Sequence, residues 1–426
     1  MDALPLLSVE SPDAIVAFHR GPVTAARLTA QAGALAVALP RAAHVINLAE
    51  NRYHFLLGWS AACLREQVTL LPPGHTDDVL TDLRQRYPDH HLLDDARIAQ
   101  IVDPIAGEAP LEPWQLPAAR IVAIAFTSGS TGEPQAHPKT WRSLFHNSRL
   151  AAAELVGGAR QWVVATVPAQ HMYGLEASLI GALTAGQCVH DGKPFFPADV
   201  RAALGQLPAP RTLVTTPAHL KVLIEAGVEL PGLERVVSAT APLSVALAQE
   251  AERRWNTRVF EIYGCTEAGV MAHRRTTLSE CWRTFSGGTM TARADGAEYH
   301  APQLGAPTVL PDIIESRDDG EFLLRGRSAD MIKVAGKRTS VQELTRQILA
   351  VPGVEDAVVF VPEADGRPAA AVVAPGLPAA AILAVLRGKL DGVFVPRPLV
   401  VVETLPRNAV GKLPREALLQ LLGRAP

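Results

Sequence analysis

The chain has 426 residues, enough for two or three domains with at least one sizeable core. With 48% hydrophobic and 19% charged residues it is not a disordered chain, and a net charge of −3 gives no electrostatic reason to expect nucleic acid or an anionic membrane as partner. The cysteines Cys63, Cys188, Cys265 and Cys281 are too few and too scattered for a disulfide framework or a zinc site, so a reduced, cytoplasmic setting is expected. The opening MDALPLLSVESPD lacks a basic region and a long apolar stretch, which argues against a secretory signal. No run of 18 apolar residues occurs, so no membrane insertion is expected.

In chain order, residues 1–119 carry no usable motif. Beyond them, short β-rich runs bounded by turn residues alternate with amphipathic stretches. The runs Arg120–Phe126, Gln161–Pro168, Arg211–Pro217, Leu233–Ala239 and Thr257–Gly264 read as strands. Ser143–Leu155, Leu175–Thr184, Ala218–Ala226 and Ser244–Trp255 read as helices between them. Buried strands separated by helices predict an α/β fold with mostly parallel sheets, in which ligands bind beyond the carboxyl ends of the strands. After about Gly320 the texture changes to short strands and turns. Then come a helix (Val341–Ala350), two strands (Glu355–Val361, Ala369–Ala374), a helix (Ala379–Leu390), a strand (Leu399–Glu403) and a last helix (Pro414–Leu422). This predicts a large N-terminal domain (1–326), a boundary at the charged turn 327–330, and a small α+β C-terminal domain (331–426).

Four motifs fall in the loops this organisation leaves. Thr127-Ser128-Gly129-Ser130-Thr131-Gly132-Glu133-Pro134 follows directly on a buried strand, and such a density of hydroxyls and glycines lets O–H and backbone N–H groups converge on phosphate oxygens. An ordinary Ser/Gly turn would account for any three or four of these residues, though hardly for the whole octet. Tyr263-Gly264-Cys265-Thr266-Glu267 ends another strand, placing an aromatic ring for stacking and a carboxylate that can hold Mg²⁺. Cys265 invites a nucleophile reading, but no base stands near it in sequence, and a small filler residue is the better account. Asp312 precedes Gly326-Arg327, a carboxylate and a guanidinium able to hold ribose hydroxyls or simply to solvate a charged hairpin. Gly411-Lys412 exposes one ammonium on a tight turn.

Taken together and in order, these motifs resemble the adenylate-forming superfamily of acyl- and aryl-CoA synthetases, peptide-synthetase adenylation domains and luciferases. Lesser matches agree: Pro168–Gly174 looks like the aromatic–His–Gly segment beside the acid pocket, Ser238–Leu243 like the adenine-side segment, and Lys333–Arg338 like the turn that closes on the thiol tunnel. The resemblance spans roughly residues 120–426. It implies that ATP and Mg²⁺ are used to activate a small carboxylic acid as its adenylate, which then passes to a phosphopantetheine thiol.

Residue by residue, the resemblance implies that Thr127, Ser128, Gly129, Ser130, Thr131 and Gly132 hold the phosphates. Thr266 and Glu267 then serve the α-phosphate and the metal, Glu267 being the metal ligand. Lys412 becomes the catalytic ammonium, Asp312 and Arg327 bind the ribose, and Tyr263 with Gly264 faces the adenine beside Ser238, Ala239 and Thr240. His171, Met172 and Tyr173 line the acid pocket, and Gly336 meets the thiol after the small, mobile C-terminal domain turns. The short stretch between Glu267 and Asp312 resembles compact ligases of aryl-polyene and xanthomonadin pigment clusters, which load a hydroxybenzoate-like acid onto an acyl carrier protein. Free CoA as acceptor, and a non-catalytic module that binds ATP and an acid, are the alternatives. Two departures stand out. The usual Pro-Lys-Gly reads Pro134-Gln135-Ala136, with Lys139 further on, so one phosphate-facing ammonium is missing or displaced, and the hinge position two after Arg327 is Ala329, with Asp330 next.

Overall fold

The computed structural model describes residues 2–72, 74, 76–128, 134–156, 160–327, 331–334, 337–362, 367–407 and 413–423. The chain falls into two compact units. The first is Met1–Glu280 with Thr284–Gly288 and Ala301–Ala306; the second is Cys281–Arg283, Thr289–His300 and Pro307–Pro426.

Among its described residues the first unit holds two large sheets, besides the short antiparallel pair Ala3–Pro5 and Gln115–Pro117. One runs His90–Leu93, His44–Asn47, Val68–Leu71 and Ile121–Ser128, all parallel, and ends on the antiparallel strand Pro134–Thr140. The other runs Arg258–Cys265, Arg235–Ser238, Arg211–Thr215, Trp162–Ala165, Cys188–His190 and Ile15–Phe18, also parallel, with antiparallel Gly269–Arg274 on one flank and Pro22–Thr24 on the other. The central strands are apolar on both faces: Leu213, Val214, Val236 and Val237 are all buried, as parallel strands covered on both sides must be. The helix Arg52–Leu64 touches strands of both sheets and is buried along nearly its whole length. Asn51 caps it, accepting from the Tyr53 and His54 amides, so its first turn is satisfied without solvent.

Every strand and helix expected between Arg120 and Trp255 is present within a few residues, but the grouping differs. The strand following Arg120 belongs to the first sheet and the four later ones to the second. Its partner Pro134–Thr140 lies outside the expected strands and carries two prolines. As the edge of its sheet it tolerates Pro138, whose missing N–H costs no ladder bond on the open side. The helix expected over 175–184 is interrupted by a π-helical stretch, Leu175–Ile180, a wider turn that is common at functional sites.

In the second unit, Asp312–Ser316 and Glu321–Arg327 form a hairpin that Trp282 and Arg283 extend, beside the meander Thr289–Arg293, Gly296–His300 and Thr308–Leu310. The C-terminal elements follow the expected order. Val341–Leu349, Ala379–Lys389 and Arg415–Gly423 are helices, and Asp356–Phe360, Ala369–Val373 and Leu399–Val401 form one sheet around Leu344, Ile348, Val359, Val372, Ile382 and Leu386. The expected hinge at 327–330 concerns motion rather than packing; Ser328, Ala329 and Asp330 lie outside the described residues.

Candidate active site

Within the first unit, the sequence-predicted residues gather at the carboxyl ends of the parallel strands. Ser128 ends one strand, Ser238 another and Cys265 a third, so each stands at the carboxyl edge of its sheet, the edge at which folds of this class bind ligands. The best-defined part is the turn Cys265–Gly269. A register shift between Tyr263 and Gly264 bends the strand just before it. Glycine is required there, because a Cβ on Gly264 would lie 2.5 Å from the Gly269 carbonyl oxygen. Gly269 itself has φ +79°, and a Cβ would meet Glu176 Oε1 at 2.4 Å and Asn147 Nδ2 at 2.5 Å.

Buried polar side chains fasten this turn from beneath. Lys139 Nζ donates to the Glu267 carbonyl at 2.6 Å, and Asn147 Nδ2 donates to the Ala268 carbonyl at 2.9 Å. Glu176 Oε2 accepts from the Val270 amide at 2.9 Å and Oε1 from Asn147 at 3.1 Å, while Gln303 donates to Asn147 Oδ1 at 2.8 Å. Backbone held in this way leaves the Glu267 side chain free to point outward, and it is 44% exposed. Its Oε1 lies 3.7 Å from His137 Nε2, which in turn sits 2.9 Å from Thr127 Oγ1. His137 therefore bridges the end of the Ile121–Ser128 strand to the turn. An exposed carboxylate on a fixed turn offers the hard oxygen donor that Mg²⁺ prefers, so the residues present fit that ion.

The electrostatics follow from burial. Desolvation lowers the pKa of Lys139, opposed by the charges of Glu176 and Glu267, and it lowers that of His137, where Glu267 again opposes. Burial pushes the Glu176 carboxyl up to about 7, against the hydrogen bond from Asn147 and the nearby Lys139 charge. A carboxyl whose pKa is raised on folding stabilises the protein most below its unfolded value, and that contribution is lost as pH rises toward 7. Glu176→Gln should therefore flatten the fall in stability between about pH 4.5 and 7, a difference on the order of 1–3 kcal/mol at 1.36 kcal/mol per unit. Parallel pH profiles of unfolding in wild type and variant would refute this pKa. Burial also pushes the Cys265 thiol up to about 12, and its sulfur accepts from the Ala268 amide at 3.3 Å. A thiol so disfavoured as thiolate is not a nucleophile, in keeping with the filler reading.

The segment expected beside the acid pocket, Pro168–Gly174, is equally anchored. Arg52, fully buried, donates through Nη2 to the Ala165 and Val167 carbonyls at 3.1 and 2.5 Å and through Nη1 to Ser178 Oγ at 2.9 Å. This fixes the chain just before Pro168–Gly174. Tyr173 donates its hydroxyl to the Val237 carbonyl at 2.8 Å, tying that segment to the strand ending in Ser238. Gly174 has no room for a side chain, since a Cβ would fall 2.0 Å from the Pro168 oxygen. His171 is half-buried at the start of this turn, while Met172 is buried. Ser238 and Ala239 are also buried, so only exposed Thr240 of that trio presents its side chain. Thr240 has φ +79°, a strained conformation for a β-branched residue.

Of the remaining expected residues, Asp312 and Arg327 stand directly opposite each other in the hairpin register of the second unit. Gly129, Ser130, Thr131, Gly132, Gly336 and Lys412 lie outside the described residues. The residues not anticipated are His137, Asn147 and Glu176, together with the place of Lys139. A faint signal existed: His137 and Lys139 alternate on one face of a strand, and Glu176 is a lone carboxylate in an apolar helix.

The family model described as AMP-binding enzyme matches residues 35–300. A 4-coumarate–CoA ligase of Halorhodospira halophila is 30% identical over 297 residues, covering 67% of this chain and 73% of that protein. The fatty acid–[acyl-carrier-protein] ligase MmaC of Mycobacterium marinum is 25% identical over 363 residues, covering 70% of this chain and 67% of MmaC. Among solved structures, the o-succinylbenzoate CoA synthetase MenE of Bacillus subtilis, in complex with its acyl-adenylate intermediate, superposes with a TM-score of 0.81 at 18% identity, covering 98% of each chain.

Proposed function

The chain belongs to the AMP-binding enzyme family and has the α/β fold of adenylate-forming ligases, and from that premise we propose that it activates an aromatic, hydroxybenzoate-like acid with ATP and loads it onto the phosphopantetheine thiol of an acyl carrier protein. The observation that carries the reading is the Thr266-Glu267 turn, locked by Lys139, Asn147 and Glu176 with the Glu267 carboxylate facing out beside His137 and Thr127.

Carboxylates acylate poorly because their oxygen is a bad leaving group, and adenylation removes that obstacle. One carboxylate oxygen of the acid forms a bond to the α-phosphorus of ATP, and the bond from that phosphorus to the bridging oxygen breaks, its electron pair leaving on pyrophosphate. Such a step needs positioning and charge neutralisation rather than a protein nucleophile. Residues 127–132 hold the β- and γ-phosphates, Thr266 the α-phosphate, Asp312 and Arg327 the ribose, and Tyr263 the adenine alongside Thr240. Glu267 holds Mg²⁺, which when bound neutralises phosphate charge. Lys412 sets its ammonium between the carboxylate and the α-phosphate. In the second step the thiol sulfur bonds to the acyl carbon, the carbon–oxygen bond to AMP breaks and the thiol proton passes to solvent, with Gly336 lining the thiol's approach.

The aromatic acid is supported by the likeness to a 4-coumarate–CoA ligase, and the carrier-protein acceptor by the likeness to MmaC. The same 4-coumarate relative favours a second reading, in which free CoA is the acceptor. Acid-dependent exchange of labelled pyrophosphate into ATP, across benzoates, cinnamates and fatty acids, should respond to the aromatic acids. Single-turnover transfer should then favour a carrier protein over CoA. Exchange confined to fatty acids, or faster transfer to CoA, would overturn the respective half. Gly336→Trp should spare exchange and block thioester formation; equal loss of both would contradict its place beside the thiol.

A further inference from the structure

Away from this site, two histidines of the first unit are arranged in a way that the adenylation chemistry does not use. His19, just after the strand Ile15–Phe18, places Nδ1 2.6 Å from Asp191 Oδ2. His54, on the helix Arg52–Leu64, places Nδ1 2.9 Å from Asp95 Oδ1. A carboxylate can only accept, so each ring donates from Nδ1, and in the neutral imidazole this leaves Nε2 as the lone pair able to ligate. The two rings lie 5.2 Å apart. His54 Nε2 is buried and has no hydrogen-bond partner, an orphan that a folded core does not normally keep. Asp103, at the end of the helix Asp95–Val102, completes the group: one ligand atom from each of His19, His54 and Asp103 lies within 4.8 Å of the other two.

We propose that His19, His54 and Asp103 form a binding site for a divalent transition-metal ion of the zinc type, with water in the fourth position. Two imidazole nitrogens and one carboxylate suit such an ion, whereas Mg²⁺ and Ca²⁺ prefer oxygen donors throughout. The partners behind the rings are those that metal-binding histidines ordinarily have, a carboxylate on the far nitrogen that fixes tautomer and orientation. They are themselves held. Asp191 also accepts from Asn51 Nδ2 at 3.2 Å, and Asp95 from the Glu50 and Asn51 amides at 2.8 and 3.2 Å. Asp103 is 39% exposed, and its other contact is a 3.4 Å approach of the exposed Arg20 guanidinium, which a metal would displace at little cost. The ion would tie a strand end to two helices far apart in sequence and so stabilise the first unit.

The test uses the full chain, stripped with chelator and dialysed against Zn²⁺ in excess Mg²⁺. One equivalent of zinc should remain and raise the unfolding temperature. Asp103→Asn, at an exposed position that leaves the fold intact, should weaken zinc binding at least about tenfold, and His19→Gln should do likewise. Co²⁺ in place of zinc should give the visible absorption of a tetrahedral site, lost in Asp103→Asn. A wild-type chain that retains no zinc, or variants that bind it as wild type does, would overturn the proposal and leave water as the occupant beside His54.

Discussion

Lys412→Ala should lower acid-dependent pyrophosphate exchange by about 10²–10³-fold or more, the usual cost of removing one group that stabilises transition-state charge. Negative charge builds up where the incoming carboxylate, the α-phosphate and the departing pyrophosphate meet, and Lys412 is the cation assigned to that point. ATP itself is held by other groups, so its affinity should change only a few-fold. An effect on exchange without an effect on ATP binding marks an interaction made in the transition state alone. Thioester formation from a supplied acyl-adenylate should be nearly untouched, because the lysine serves only the first step. Equal exchange in wild type and variant would remove Lys412 from the chemistry, and loss of ATP binding would make it a ground-state ligand instead.

A second large effect is expected at Lys139. Replacing it with Met removes the donor to the Glu267 carbonyl and leaves Glu176 buried without its neighbouring cation. Glu176, already pushed up to about 7, can answer the loss of the cation by holding its proton, so the cost near neutral pH is mainly that of the unpartnered Glu267 carbonyl, about 1–3 kcal/mol. Lys139→Met should therefore destabilise the chain by about that amount and more steeply above pH 7, and adding Glu176→Gln should recover the pH-dependent part of the loss. Exchange should fall by roughly 10²-fold in the single variant, since a turn that shifts by 1 Å misplaces the Glu267 carboxylate. Recovery of stability without recovery of rate in the double variant would show that Lys139 positions the turn as well as balancing Glu176. Strict additivity of the two stability changes would show that the pair does not interact.

What the sequence carried and what it withheld divide along physical lines. Strand runs such as Arg235–Ser238 and helices such as Val245–Trp255 were legible because period and composition are local properties. The loops after Phe126 and Ile262 were legible because dense hydroxyls, glycines and a Tyr-Gly-x-Thr-Glu order are rare by accident. The assignment of strands to two sheets was not, because Ile121–Ser128 and Arg211–Thr215 look alike and differ only in which partners they meet. Nor was the clamp beneath Glu267. Lys139, Asn147 and Glu176 come from an edge strand, a helix and a π turn, and nothing along the chain says that packing will bring them under one turn. The Gln135 departure from Pro-Lys-Gly reads as an ammonium missing or displaced. The structure places Lys139 on the edge strand Pro134–Thr140, with its charge directed to the Glu267 backbone.

That edge strand also constrains the chain around it. Ser128 pairs with Pro134, Ala125 with His137 and Ala123 with Lys139, so the two strands stand in a fixed register on either side of residues 129–133. Because side chains alternate across a strand, a slip of one residue would turn both His137 and Lys139 from the inner face to the outer. An insertion or deletion that moved this register would therefore cost the clamp under Glu267 as well as the strand pair. Under the proposed function the phosphates constrain which residues stand at 127–132, and the register constrains how many lie between the strands.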